Sequence, residues 1–147
     1  MASSVVRLGR STRWGLLALA AALTAVLATA AWLKPDPRGY GTHEQLGLPR
    51  CTFYAMAGFP CPSCGMTTSF AWSVRGRPDR AWRANPAGSL IAPTCAVLAA
   101  WLLACAASGR TWGTRSIDGV LIGVVLAAVA LGLGAWLFRL ILWRVLG

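Results

Sequence analysis

Acidic side chains are nearly missing from this 147-residue chain: four Asp or Glu stand against fourteen Lys or Arg, with a single histidine. That scarcity excludes the paired carboxylates of glycosidase-type acid–base chemistry. No phosphate-cradling glycine loop and no serine triad pattern is present either. Charge of both signs amounts to only 12% of residues, about half of what a soluble domain carries. Lysine is also scarce, since thirteen of the fourteen basic residues are arginine. Together with abundant Ala and Gly, that bias points to a bacterial source with a GC-rich genome.

Apolar residues supply what charge does not. They make up 56% of the chain, and mean hydropathy is +0.59. They gather in blocks rather than stripes. Trp14–Leu33, Ala84–Ser108 and Ile117–Phe138 each reach the roughly 20 residues needed to cross a bilayer. The expected fold is all-α and membrane-integral, a multi-pass protein of the bacterial inner membrane. The arginines fall in bursts at the block edges: Arg7/Arg10/Arg13, Arg75/Arg77/Arg80/Arg83, Arg110/Arg115 and Arg139/Arg144. Loops that face an anionic membrane surface have this pattern, so the net charge of +10 indicates a lipid bilayer rather than nucleic acid as partner. Ala28-Thr29-Ala30 satisfies a signal-peptide cleavage pattern. The apolar stretch before it is too long for a signal core, however, and Trp32 and Lys34 resemble interface anchors, which favours a retained first span.

The expected organisation runs from a basic tail (1–13) through the first span (14–33) to a polar loop, 34–50, whose Pro35, Pro37, Gly39 and Gly41 exclude a long helix. Residues 51–74 are apolar but interrupted by Gly58, Pro60, Pro62 and Gly65, which forces a broken or re-entrant membrane segment. Met66–Val74 is expected to be helical, with Pro62 or Ser63 near the helix N-terminus and its start immediately following Cys61. A basic loop (75–84) precedes Asn85-Pro86, where Asn suits a helix N-cap and Pro the first helical turn. Within the span 85–108, Gly88, Ala92, Ala96, Ala100, Ala104 and Ser108 recur every four residues, a seam for close packing on another helix or on a partner protein. Gly119, Gly123 and Ala127 repeat the pattern in the last span (117–138), before a basic tail (139–147). Counting basic residues per face favours four crossings, with 51–74 as one of them and the N-terminus inside.

Chemistry concentrates in FPCPSCGMTTSF, between Phe59 and Phe70. Cys61 and Cys64, two residues apart across Pro62 and Ser63 and followed by Gly65, form a thiol knuckle, and Cys51 lies ten residues upstream. Three readings fit. The knuckle can bind a metal such as zinc, with Cys51 and His43 completing a Cys3His set. It can staple a tight turn that a partner recognises. Alternatively, Cys61 and Cys64 can cycle between dithiol and disulfide, with Cys61 activated at a helix start. Cys95 and Cys105 lie in an apolar span and are expected to act as small hydrophobic residues. Thr67, Thr68 and Ser69 are expected to bond back to their own helix carbonyls.

The stretch CTFYAMAGFPCPSCGMTTSF, followed by VRG and RANP, resembles a family of small bacterial membrane proteins known as a domain of unknown function. Its hallmark is a cysteine, about ten residues, Cys-Pro-x-Cys-Gly-x-Thr, a helix, and Asn-Pro opening the next span. The resemblance covers about Cys51 to Gly88. It implies importance for Cys51, Cys61, Pro62, Cys64, Gly65, Thr67, Asn85 and Pro86, and it supplies no activity. Many members carry Arg after the motif's Thr, where this chain has Thr68. The leading expectation is a non-enzymatic accessory subunit of a membrane assembly with a metal-binding or turn-stapling Cys site, and the alternative is a membrane thiol–disulfide oxidoreductase.

Overall fold

Helices account for every regular element in the computed structural model, which describes residues 6–114 and 116–146. Arg115 therefore lies outside the described residues. The order is α1 (Arg10–Trp32), a 3-10 turn (Thr42–Leu46), α2 (Thr52–Ala57), α3 (Met66–Ser73), α4 (Pro78–Ala84), α5 (Pro86–Ser108) and α6 (Ile117–Leu146). Three of them, α1, α5 and α6, are long and apolar enough to cross a membrane. Trp14 and Trp32 are exposed near the two ends of α1. Eighteen residues at about 1.5 Å each place them roughly 27 Å apart, close to the thickness of a hydrocarbon core.

The central contact is between α1 and α5, which run antiparallel. Leu8 N donates to Gly109 O at one end, while Ala30 packs with Ala92 and Phe70 at the other. Leu16, Ala20, Leu102, Cys105 and Ala106 fill the seam, and Cys105 behaves there as a small apolar side chain. Arginines close both helix ends. Arg13 donates to the α5 carbonyls of Ala106 and Ala107 (2.8 and 3.3 Å). Arg75 donates to Ala30, Ala31 and Leu33 of α1 and to Ala71 of α3, at 2.7–3.1 Å. The last carbonyls of a helix lack intrahelical donors and carry the negative end of its dipole, so a guanidinium fork satisfies both needs. Part of the arginine excess is thus spent on helix ends rather than on lipid.

Several expectations change. Because α1 and α5 are antiparallel, the whole stretch 33–85 returns to the end from which it left, so 51–74 does not form a fourth crossing. With eight residues, α3 spans only about 12 Å. It wedges instead against the ends of α1 and α5. Among the described residues, three crossings put Lys34, Arg38, Arg50, Arg75, Arg77, Arg80, Arg83, Arg139 and Arg144 at the knuckle end, and Arg7, Arg10, Arg13 and Arg110 at the other. The basic loop 75–84 contains α4, which Pro78 starts in the first turn where its missing N–H costs nothing. The basic tail continues as helix to Leu146.

The four-residue ladder is only half used. Gly88 and Ala92 are buried, whereas Ala96, Ala100, Ala104 and Ser108 are exposed, and the packed face continues instead through Ala99, Leu102 and Cys105/Ala106. A strict four-residue repeat drifts about 40° per step around a helix of 3.6 residues per turn, so it cannot stay on one seam. Gly119, Gly123 and Ala127 are exposed as well, so the two ladders do not pack on each other.

Candidate functional site

At the end of the bundle where α1 finishes and α5 begins, the knuckle forms an ordered turn. Cys61 O accepts from Cys64 N (3.1 Å) and Ser63 O from Met66 N (3.0 Å). The helix that follows runs Met66–Ser73, within the expected stretch, but residues 62–65 form a turn and Gly65 is the helix cap, so the helix does not begin directly after Cys61. Two glycine-specific features fix that start. Gly65 has φ +82, and a Cβ there would collide with Ala84 O and lie 2.8 Å from Gly39 O. Only a residue without a side chain both adopts this backbone and admits that approach.

Asn85 ties the turn to the span behind it. Its side chain is buried, with Nδ2 donating to Cys64 O (3.1 Å) and Pro62 O (3.3 Å) while Oδ1 accepts from Gly88 N (3.1 Å). One amide thus caps α5 and holds the knuckle. The sequence signalled the cap; the clamp needed the tertiary fold. From the other side, α6 adds Arg139 Nη1 to Cys64 O (3.1 Å) and Trp136 Nε1 to Pro60 O (3.0 Å). Neither residue stood out in the sequence beyond its place in a basic or aromatic edge.

Two of the three hydroxyls at 67–69, those of Thr68 and Ser69, act in tertiary contacts. Thr68 Oγ1 meets Thr42 Oγ1 at 2.7 Å in a buried contact, and Thr42 also accepts from Asp36 N. Ser69 Oγ donates to Ala81 O and Asn85 O (2.9 and 3.0 Å). These bonds replace the expected return to their own helix. Thr68 thereby pins the polar loop to α3.

These supports gather three sulfurs. Cys51 Sγ lies 3.5 Å from Cys61 Sγ, which lies 3.2 Å from Cys64 Sγ, and all three fall within 4.8 Å of one another. All five cysteines are free thiols, and Cys95 and Cys105 stand outside the group. His43 is not brought into it: its Nε2 donates to Pro49 O at 3.3 Å, although it shares the wall of the same cleft. That cleft, about 650 Å³, is lined by the three thiols together with Tyr40, Tyr54, Met66 and Thr67. Glu44, at its polar edge, pairs with Arg38 (3.3 Å) and Arg50 (3.8 Å).

The thiols are not equivalent. Cys51 precedes α2, and the backbone N–H of Tyr54 holds its thiol below the usual range, against the opposing effect of burial and with help from Cys61 and Cys64. Burial pushes Cys64 up to about 12, with the hydrogen bonds from Cys61 and Cys51 adding to the rise. The helix-start thiol is therefore Cys51, whereas the spacing suggested Cys61.

Three thiols at these distances lie beside Asn85-Pro86 in the span that follows. Residues 51–99 match the family described as "Protein of unknown function (DUF2752)". The resemblance to a domain of unknown function holds across that segment. The matched segment begins on Cys51 and takes in the knuckle, α3, α4 and the first half of α5, so it contains all three sulfurs and the Asn85 clamp. It leaves out α1 and α6, which pack around it. No curated protein and no solved structure matches the chain.

Proposed function

We propose that this chain is a small multi-pass component of the bacterial inner membrane, an accessory subunit without catalytic activity of its own, whose Cys51/Cys61/Cys64 site binds a thiophilic metal ion. The observation that carries this reading is the convergence of three sulfurs from two segments. Thiolates bound about 2.3 Å from one ion sit roughly 3.8 Å apart, so the observed group needs only a small expansion to accept one. The surrounding supports suit such a role. Asn85 and Arg139 fix the carbonyl of one ligand residue, as outer partners do in metal sites. The open face of α6 is where a partner helix would dock.

A second reading, thiol–disulfide exchange, draws on the 3.2 Å Cys61–Cys64 approach and the activated Cys51. Measuring metal content and free thiols together on detergent-purified protein separates the two. About one metal ion per chain, lost in Cys64→Ser, supports metal binding. A reversible Cys61–Cys64 disulfide without metal supports exchange, and five free thiols without metal would remove both.

A further inference from the structure

The number of ligands in the thiol group bears on which ion it takes. Structural zinc sites are closed by four protein ligands. Here the described residues supply three: no His, Asp or Glu atom joins the sulfurs, and His43 is turned to Pro49 O. A zinc site completed by water would need a nearby base to have a use, yet Glu44 is engaged by Arg38 and Arg50. Monovalent copper, by contrast, favours soft sulfur donors and is satisfied by three of them in a plane. It also leaves the site more negative than zinc would, since three thiolates around a monovalent cation carry a net double negative charge. The surroundings match that charge. Arg139 bonds the Cys64 carbonyl, and Arg83 and Arg139 line a smaller recess that also contains Cys64.

Resting on the metal-binding reading above, we infer that Cys51, Cys61 and Cys64 form a trigonal all-thiolate site for Cu(I), with no fourth protein ligand. On its open side such an ion would face the cleft wall that includes Tyr40, Tyr54 and Met66.

The test uses the full chain, purified in detergent without oxygen. It is titrated with Cu(I) against a chromophoric Cu(I) chelator, and separately with Zn(II). One Cu(I) per chain is expected, held on the order of 100-fold or more tighter than Zn(II), with X-ray absorption showing three sulfur neighbours and no oxygen or nitrogen. Cys51→Ser and Cys61→Ser should each lose stoichiometric copper while keeping the helical circular-dichroism signal, and Cys95→Ser should keep its copper. Two variants are used so that one misfolded substitution does not decide the result. Tighter binding of Zn(II), or an oxygen or nitrogen in the copper shell, overturns the copper assignment and leaves metal binding standing. Binding of neither ion overturns both. Copper retained by Cys51→Ser and Cys61→Ser overturns the site itself.

Discussion

Cys51 and Cys64 lie within one sulfur cluster yet face opposite environments, and this difference can be measured on metal-free protein. A depressed thiol pKa means more thiolate at neutral pH, and a raised one means less, so alkylation followed by mass spectrometry at pH 7–8 should label Cys51 before Cys64. Labelling should speed up as pH rises, with Cys64 still lagging at pH 9 because its proton stays on until about 12. Equal rates at the two sites would contradict the assigned environments. Asn85 gives a second test at this scale. Asn85→Asp keeps an acceptor for Gly88 N but loses the donors to Cys64 O and Pro62 O. Metal affinity should fall about 10–100-fold, as expected for the loss of an outer partner, while α5 keeps its cap. An unchanged affinity would show that the clamp does not shape the site.

Among the elements, the helix ends carry the most testable energy. Arg75 reaches four carbonyls across α1 and α3, and no other residue type offers a flat fork of five donors. Arg75→Ala should cost about 1–3 kcal/mol, and Arg75→Lys should recover only part of it, read as thermal unfolding in detergent. A silent Arg75→Ala would mean that water or lipid caps α1 equally well. This element also shows where sequence reading reaches its limit. The three long spans, the break at Pro60–Gly65 and the cap at Asn85 were legible because chain-local physics decides them: apolar length, missing N–H groups, and a side chain bonding three residues ahead. Arg75 read as membrane-surface charge because its targets lie 42–45 residues away in α1. The hydroxyls of Thr68 and Ser69 were misread for the same reason. In the thiol site, spacing was enough to pair Cys61 with Cys64 and to name Cys51, but the thiol at a helix start depended on where Gly65 could bend. The fourth crossing failed because charge counting assumes a topology that only the α1–α5 pairing decides.

For the molecule as a whole, three crossings make the end with the knuckle the more basic one, nine Lys or Arg against four among the described residues. For the proposed inner-membrane protein, the positive-inside tendency predicts that this end faces the cytoplasm and the start of α1 faces out. A protease-cleavable epitope inserted after Gly47 should be cut only when the cytoplasmic face is exposed; cleavage from outside would reverse the orientation. A cytoplasmic knuckle would keep its thiols reduced, which favours metal over a standing disulfide. The caps at the two ends of the α1–α5 pair also bear on synthesis. The first span leaves the ribosome with its last carbonyls bare, and Arg75 follows 42 residues after Leu33. At about 5–20 residues per second that gap lasts roughly 2–9 s, and Arg13 waits longer still for Ala106, 93 residues downstream. During that interval α1 has no intramolecular cap, so insertion machinery or lipid must shelter a helix that its own chain completes only later. Chains that stop before α5 would leave α1 in the membrane as an incomplete segment open to quality-control proteases.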